Sequence, residues 1–476
     1  MKLSISIVLA GLVLASYTYL LQAQHSEERF VSENSPLIAF TDARVIDGTG
    51  AAAMENQTVV IRDGRIIQIG SNGKVAIPKG AKQISLRGKS LLPGWVMMHE
   101  HLFSADSHHA ELLRSHPLSF SRLLLAAGVT SARTAGAANP YLELRVQSGI
   151  EQNEFLGPDY DLTAPMFTAH KVSKMRPYLT GLDDVKNRIR FWADRGFTSF
   201  KTKFVTLAQM EVAIKETHKR GLKLIGHTCN VTYRDAAELG IDQIEHGFWS
   251  LGGDFDPEKV ADQCNRVRTL ERTTKLDPAS SEVQAVFRTL IQNNVVISST
   301  LEAWVRAFYA PHYMENIPDD VLSLMTPVMR EHYQLQLSQR KNEKDNSAYI
   351  SKLMALEAAF WRAGGILVVG SDAVLPHLGL LPGYSNLRSI KLLAEAGIPP
   401  VSVIKIATHN GAEAMGVLDD RGTVEVGKRA DLLVINGDPS RDIDAIDNID
   451  RVFKRGVGFD PKALRQSVGN IFFEPL

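Results

Sequence analysis

Apolar and polar positions alternate in short runs at both ends of the chain, and longer apolar runs alternate with amphipathic segments between them. From Pro36 to about Leu86 the runs Ala43–Ile46, Val59–Ile61 and Arg65–Ile69 are split by Asp47-Gly48 and Asp63-Gly64. That spacing predicts hairpins. Gly422–Val426, Ala430–Ile435 and Arg451–Lys454 repeat the pattern near the other end, so both ends are expected to meet in one small β module. In between lie eight strand-like runs: Leu91–Met98, Val129–Ala132, Met166–Ala169, Thr198–Lys203, Leu222–Gly226, Gln243–Glu245, Val295–Thr300 and Ile366–Gly370. Segments of helical period separate them, among them Ser119–Ala127, Leu182–Arg195, Leu207–Arg220 and Leu353–Ala363. Such alternation predicts an α/β fold, a (β/α)8 TIM-like barrel, although an open doubly wound sheet shares the pattern. The expected division is 36–90 and 419–458 for that module and 91–418 for the barrel. Two connections, Gly252 to about Ser281 and Glu302 to about Ser351, are too long for ordinary loops and are expected over one barrel face.

The N-terminus departs from both patterns. A lysine, an apolar run from Leu3 to Leu21 and the small Ala23 before a polar stretch predict a signal peptide over residues 1–23. The protein is therefore expected to be exported, periplasmic or extracellular, with an uncleaved anchor as the alternative. After cleavage no stable membrane insertion is expected. The 476 residues carry 53 basic and 53 acidic side chains, which excludes the basic surface that nucleic-acid binding needs. Two cysteines, Cys229 and Cys264, exclude a disulfide framework or a Cys-rich zinc finger. Export permits them to pair, but the sequence weighs against it.

Chemistry-bearing residues gather where the strands end. The first ends His99-Glu100-His101, and period two puts both imidazoles on one side with Glu100 on the other. Taken alone, an H-x-H is more often a surface feature than a metal site. The fourth strand carries Lys201 and Lys203, again on one face. The fifth ends in His227, the sixth in His246 and the eighth in Asp372. A lone histidine is usually structural, and a carboxylate after a strand is often a helix N-cap. Four histidines, a lysine and an aspartate at one edge of a barrel outweigh those separate readings. His108, His109 and His116 are expected at the surface. Trp249, Trp304 and Tyr309 are candidates for pocket walls.

Leu92-Pro93-Gly94 before His99-x-His101, Gly128-Val129-Thr130, Ile244-Glu245-His246-Gly247, Gly370-Ser371-Asp372-Ala373 and Gly427-Lys428-Arg429-Ala430-Asp431-Leu432 resemble the amidohydrolase superfamily. In particular they are similar to its imidazolonepropionase-like and prolidase-like enzymes. The resemblance spans about residues 38 to 455 and implies a metal-dependent barrel hydrolase with a small β-sandwich assembled from both chain ends. It implies that His99 and His101 hold a first divalent ion, His227 and His246 a second, and that Asp372 binds the first and serves as general acid/base. It also implies a carbamylated lysine as bridge: Lys201 by its match to the family's Gly-Ala-Asp-x-Ile-Lys run, with Lys203 as rival. Three positions depart from the family: Met97 before the histidine pair, Ala132-Arg133-Thr134 on the second strand, and Cys229 after His227.

Imidazole and carboxylate ligands with an open position suit zinc, one ion or two, two favoured. Such ions lower the pKa of water toward neutrality and polarise a carbonyl, so hydrolysis of an amide, peptide-like or cyclic amide bond is expected. The net positive charge that two ions leave predicts a small-molecule substrate with a carboxylate. Lys174, Arg176 and Tyr178 after the third strand, or Asn230 and Tyr233 after His227, are the candidate receptors. The same ligands serve a lactonase-type C–O hydrolase. A non-catalytic exported binding protein fits less well, because all six ligands are present. A homo-oligomer is compatible with the sequence.

Overall fold

A computed structural model describes residues 28–105, 113–169 and 178–469. The predicted signal segment, Lys174, Arg176, His108 and His109 lie outside the described residues.

Eight parallel strands form the barrel: Trp95–Glu100, Val129–Thr134, Asp159–Asp161, Ser199–Lys203, Lys223–Gly226, Gln243–Glu245, Val296–Ser299 and Leu367–Val369. Each pairs with the next; the third and fourth meet through Thr163 opposite Ser199 and through the short strand Phe167–Thr168. The ring closes where the backbone N–H groups of Ser371 and Asp372 donate to the His99 carbonyl at 3.2 and 3.1 Å. Helices pack outside on buried apolar faces. Leu207–His218, for example, buries Met210, Ala213 and Ile214 and starts in a Thr206/Gln209 capping box.

Nine strands make a second sheet, six from the N-terminal side (Val31–Glu33 to Lys89–Pro93) and three from the C-terminal side, Leu432–Asn436, Ile449–Lys454 and Val457–Phe459. It has its own core around Ile38, Phe40, Val59, Leu432 and Phe453. Asp63 and Gly64, at φ 46° and 76°, make the left-handed hairpin turn between Met54–Arg62 and Arg65–Ser71.

Three strand expectations need correction. The apolar run Leu91–Met98 is two strands: Lys89–Pro93 pairs with Leu432–Asn436 in the outer sheet, and the first barrel strand begins at Trp95. Gly94 sits between them because a side chain there would strike Thr130. The third barrel strand is interrupted and begins before the expected Met166–Ala169: Asp159–Asp161 pairs with the second strand, and Phe167–Thr168, within the expected run, pairs with the fourth. The aspartates flanking the earlier part are held by ion pairs, so it carries no apolar signature. Gly422–Val426 is irregular, anchored by the Val424 N–H on the Asp47 carbonyl. Cys229 and Cys264 do pair, across 35 residues, because the insertion after the sixth strand folds back onto the fifth-strand loop. Cys229 is therefore no thiol ligand. Among the described residues no helix is long and apolar enough to cross a membrane.

Candidate metal centre

The barrel interior holds a polar column that ends at His99. Asp161 accepts from Arg133 Nε at 2.6 Å, and Arg133 Nη1 donates to Gln243 Oε1 at 3.2 Å. Gln243 Nε2 donates to Glu245 Oε1 at 2.8 Å, and the other oxygen of Glu245 meets His99 Nδ1. With its proton on Nδ1, His99 turns Nε2 toward the barrel mouth. There His99, His101 and Asp372 bring one ligand atom each within 4.8 Å of one another. Asp372 Oδ1 lies 3.2 Å from His101 Nε2 and 3.6 Å from His99 Nε2. Lys201 Nζ is 3.1 Å from His99 Nε2. Across the mouth His246 Nε2 faces His227 Nε2 at 2.9 Å, while His246 Nδ1 bonds the Thr300 hydroxyl at 2.8 Å.

Backbone geometry aims these groups. His246 and Asp372 sit just past their strands at φ 68° and 47°, left-handed values that turn the chain sharply. Asp372 caps no helix, since the next α-helix, Tyr384–Glu395, begins a dozen residues on. Glu100 points to the other side, as strand parity requires. It accepts from the Ser371 N–H at 3.0 Å, the Ser371 hydroxyl at 2.5 Å and Asn386 Nδ2 at 2.7 Å, so it fixes the loop that carries Asp372.

Charge states follow from burial. Burial pushes the His101 imidazole down to about 4, and burial with neighbouring cationic side chains holds His227 and His246 well below their ordinary value. All three present neutral nitrogens. Burial and Lys201 lower His99, but Glu245 and Asp372 more than offset them. Burial raises Asp372, yet its bonds to His101 and His99 leave it well below the carboxylate range, hence ionised. Neutral imidazoles and an ionised carboxylate are the forms that ligate a divalent metal. The facing nitrogens of His227 and His246 fit the same reading, because two lone pairs at 2.9 Å repel unless a proton or a cation lies between them.

Sequence comparison decides the family. The model of the amidohydrolase family matches residues 90–458. This chain belongs to the amidohydrolase family. The imidazolonepropionase of Deinococcus radiodurans is 35% identical over 86 residues, which is 17% of this chain and only 20% of that relative's length. Two solved structures share the barrel with its β-rich module. The bottromycin amidohydrolase has a TM-score of 0.69 at 20% identity, covering 95% of this chain and 94% of its own. A Xaa-Pro dipeptidase with methionine in its active site has a TM-score of 0.62 at 16% identity, covering 89% and 100%.

In this amidohydrolase the five ligand candidates and Lys201 converge, and Lys203 lines the adjoining cavity. Other candidates fall elsewhere. Asn230 Nδ2 donates to the carbonyls of Phe204 and Asp262 at 3.0 and 2.9 Å. Buried Tyr233 donates its hydroxyl to the Gly247 carbonyl at 2.7 Å. Both are committed to the backbone and are corrected from substrate receptors to loop anchors. Tyr178 is exposed just before the helix Leu182–Ala193 and does not line the cavity. His116 is buried rather than at the surface, because its ring stacks on Phe120 and bonds Ser104 at 3.1 Å. Trp249 and Trp304 do form a cavity wall, whereas Tyr309 lies under the Arg340 guanidinium. Sequence reading missed the orienting roles of Glu245 and Thr300, although parity places Glu245 opposite His246, facing the barrel interior.

Proposed function

We propose that this protein is an exported, metal-dependent amidohydrolase that cleaves a C–N bond in a small substrate bearing a carboxylate. The observation that carries this reading is the convergence of His99, His101 and Asp372 with Lys201, His227 and His246 at one barrel mouth. His99, His101 and Asp372 would hold one ion, and His227 and His246 a second; zinc suits both sets. Lys201 would bridge them as its carbamate, formed from the neutral amine and CO2. When bound, such ions polarise a carbonyl and lower the pKa of water. Asp372 Oδ accepts the attacking water's proton and returns it to the leaving nitrogen, as general base and then general acid. Trp249 and Trp304 narrow the mouth and keep bulk water from the reacting bond. Export is supported by the apolar N-terminal run and by the disulfide, which persists in oxidising compartments. The N-terminal residue of the mature chain checks it.

Metal content and activity on a panel of amides test the proposal. Wild type is expected to hold about two zinc ions per chain. Lys201→Ala should lose metal and activity together, while Lys203→Ala keeps its metal, since only Lys201 stands against His99. A metal-free, inactive wild type, purified without chelator and supplied with zinc, would overturn the reading.

Glu245 gives a second test. As the carboxylate that fixes the His99 tautomer, its loss should weaken zinc binding by about 10–100-fold. Competition of Glu245→Gln with a chelator measures this, and an unchanged affinity would refute the orienting role.

A further inference from the structure

Between the ligand cluster and the two insertions lies a cavity of about 210 Å³. Its walls are largely apolar and aromatic, with Phe204, Trp249, Trp304 and Leu380 among them. Of the described side chains lining it, beside His227 and His246, two are cationic, Lys203 and Arg266, and one is a carboxylate, Asp372. Asp372 is already committed to His101 and His99. Among the described lining residues, then, two cations face one carboxylate that is already engaged.

Arg266 comes from the insertion after the sixth strand and opens the helix Arg266–Lys275. A cation there stands at the positive end of the helix dipole, where it is disfavoured. Its neighbours Arg268 and Arg272 both pair with Asp256, whereas Arg266 pairs with no carboxylate among the described residues. Its guanidinium instead stands 5.8 Å from the Trp249 ring centroid, and Trp249 in turn lies 6.5 Å from the His227 ring. Arg266 also lines a cleft of about 600 Å³ within the insertion, so it stands where the cleft and the cavity meet.

The insertion is fastened where this placement needs it. Cys264, two residues before Arg266, is bonded to Cys229, two residues after His227. Lys259 Nζ donates to the Cys229 carbonyl at 2.6 Å, and Asn230 donates to the Asp262 carbonyl. The tether thus sets the spacing between a candidate ligand and a guanidinium.

We propose that Arg266, held by the Cys229–Cys264 tether, is the specificity-determining residue that receives the substrate's carboxylate, with Lys203 as the second cation of that pocket. The inference rests on the functional reading above and names the group that reads the substrate. A guanidinium presents two parallel N–H donors to a carboxylate, and the apolar walls suit an acylated apolar amino acid.

The test is binding of N-acetyl-leucine and of its carboxamide, followed by thermal shift on the zinc-loaded protein, with turnover of the same pair measured in parallel. Wild type is expected to bind the free acid about 10–100-fold more tightly than the carboxamide. Arg266→Met should bring that ratio close to one, and Arg266→Lys should restore part of it, which a merely structural role would not produce. Equal affinities in wild type, or an undiminished ratio in Arg266→Met, would overturn the proposal. A full ratio in the Cys229→Ser, Cys264→Ser double variant would overturn its tethering half. Arg266-dependent binding without any amide hydrolysis would leave this inference standing and sink the catalytic reading, so the two fail separately.

Discussion

Asp372→Asn is expected to lower kcat by about 10²–10⁴-fold while leaving the fold intact. The substitution is chosen for the backbone as much as for the side chain. Asp372 sits at φ 47°, and asparagine tolerates that left-handed conformation about as well as aspartate, whereas alanine would not. The neutral amide keeps the size and can still face His101. What it loses is the negative charge that His101 and His99 now share, and the ability to take a proton from water and return it to a leaving nitrogen. The loss should therefore fall on kcat and persist when zinc is saturating. Single-turnover rates at measured metal occupancy separate the two losses. Activity within tenfold of wild type at full occupancy would remove Asp372 from the proton-transfer role.

The site was legible in the sequence to the extent that its chemistry interrupts a strand. His99 and His101, His227, His246 and Asp372 each end a run of buried β residues, where a polar side chain has no packing reason to be. Lys201 stood out for the same reason, but its parity with Lys203 left two choices. Their surroundings differ, with Lys201 against His99 and Lys203 on the cavity wall, which is why Lys201 is proposed as the bridge. Arg266 gave no such signal. It lies on an insertion whose sequence is largely polar, and its position depends on a disulfide between residues 35 apart. The first part of the third barrel strand was missed for a complementary reason. Asp159-Tyr160-Asp161 reads as surface because charge alternates with an aromatic, yet all three are largely buried, their charges met by partners from distant parts of the chain.

Those partners make Asp159 the second place where a large effect is expected. Asp159 stands at the start of its strand, the opposite end of the barrel from the metal ligands, and joins barrel to outer sheet. Its Oδ1 meets Lys454 Nζ at 2.6 Å and Arg455 Nη2 at 2.7 Å; its Oδ2 meets Arg429 Nη2 at 2.7 Å and Arg421 Nη1 at 3.3 Å. One carboxylate thus serves four cations, with Asp420 and Asp431 giving partial help to Arg421 and Arg429. Asp159→Asn leaves Lys454 buried with its carboxylate gone, and breaking such a buried pair costs about 3–5 kcal/mol. Urea unfolding at neutral pH should show that loss, with activity per folded molecule unchanged because the site lies at the far end. The pH dependence has a definite sign. Burial raises the Asp159 pKa, but Lys454, Arg429 and Arg455 outweigh burial and leave it below its ordinary value. Its contribution is then fully present above the unfolded carboxylate pKa of about 3.9 and is lost as pH falls from there through the lowered folded value. The stability gap between wild type and Asp159→Asn should hold steady from neutral pH to about 5 and close in stronger acid. A gap of less than about 1 kcal/mol at neutral pH would mean that Asp420 and Asp431 suffice to neutralise the seam.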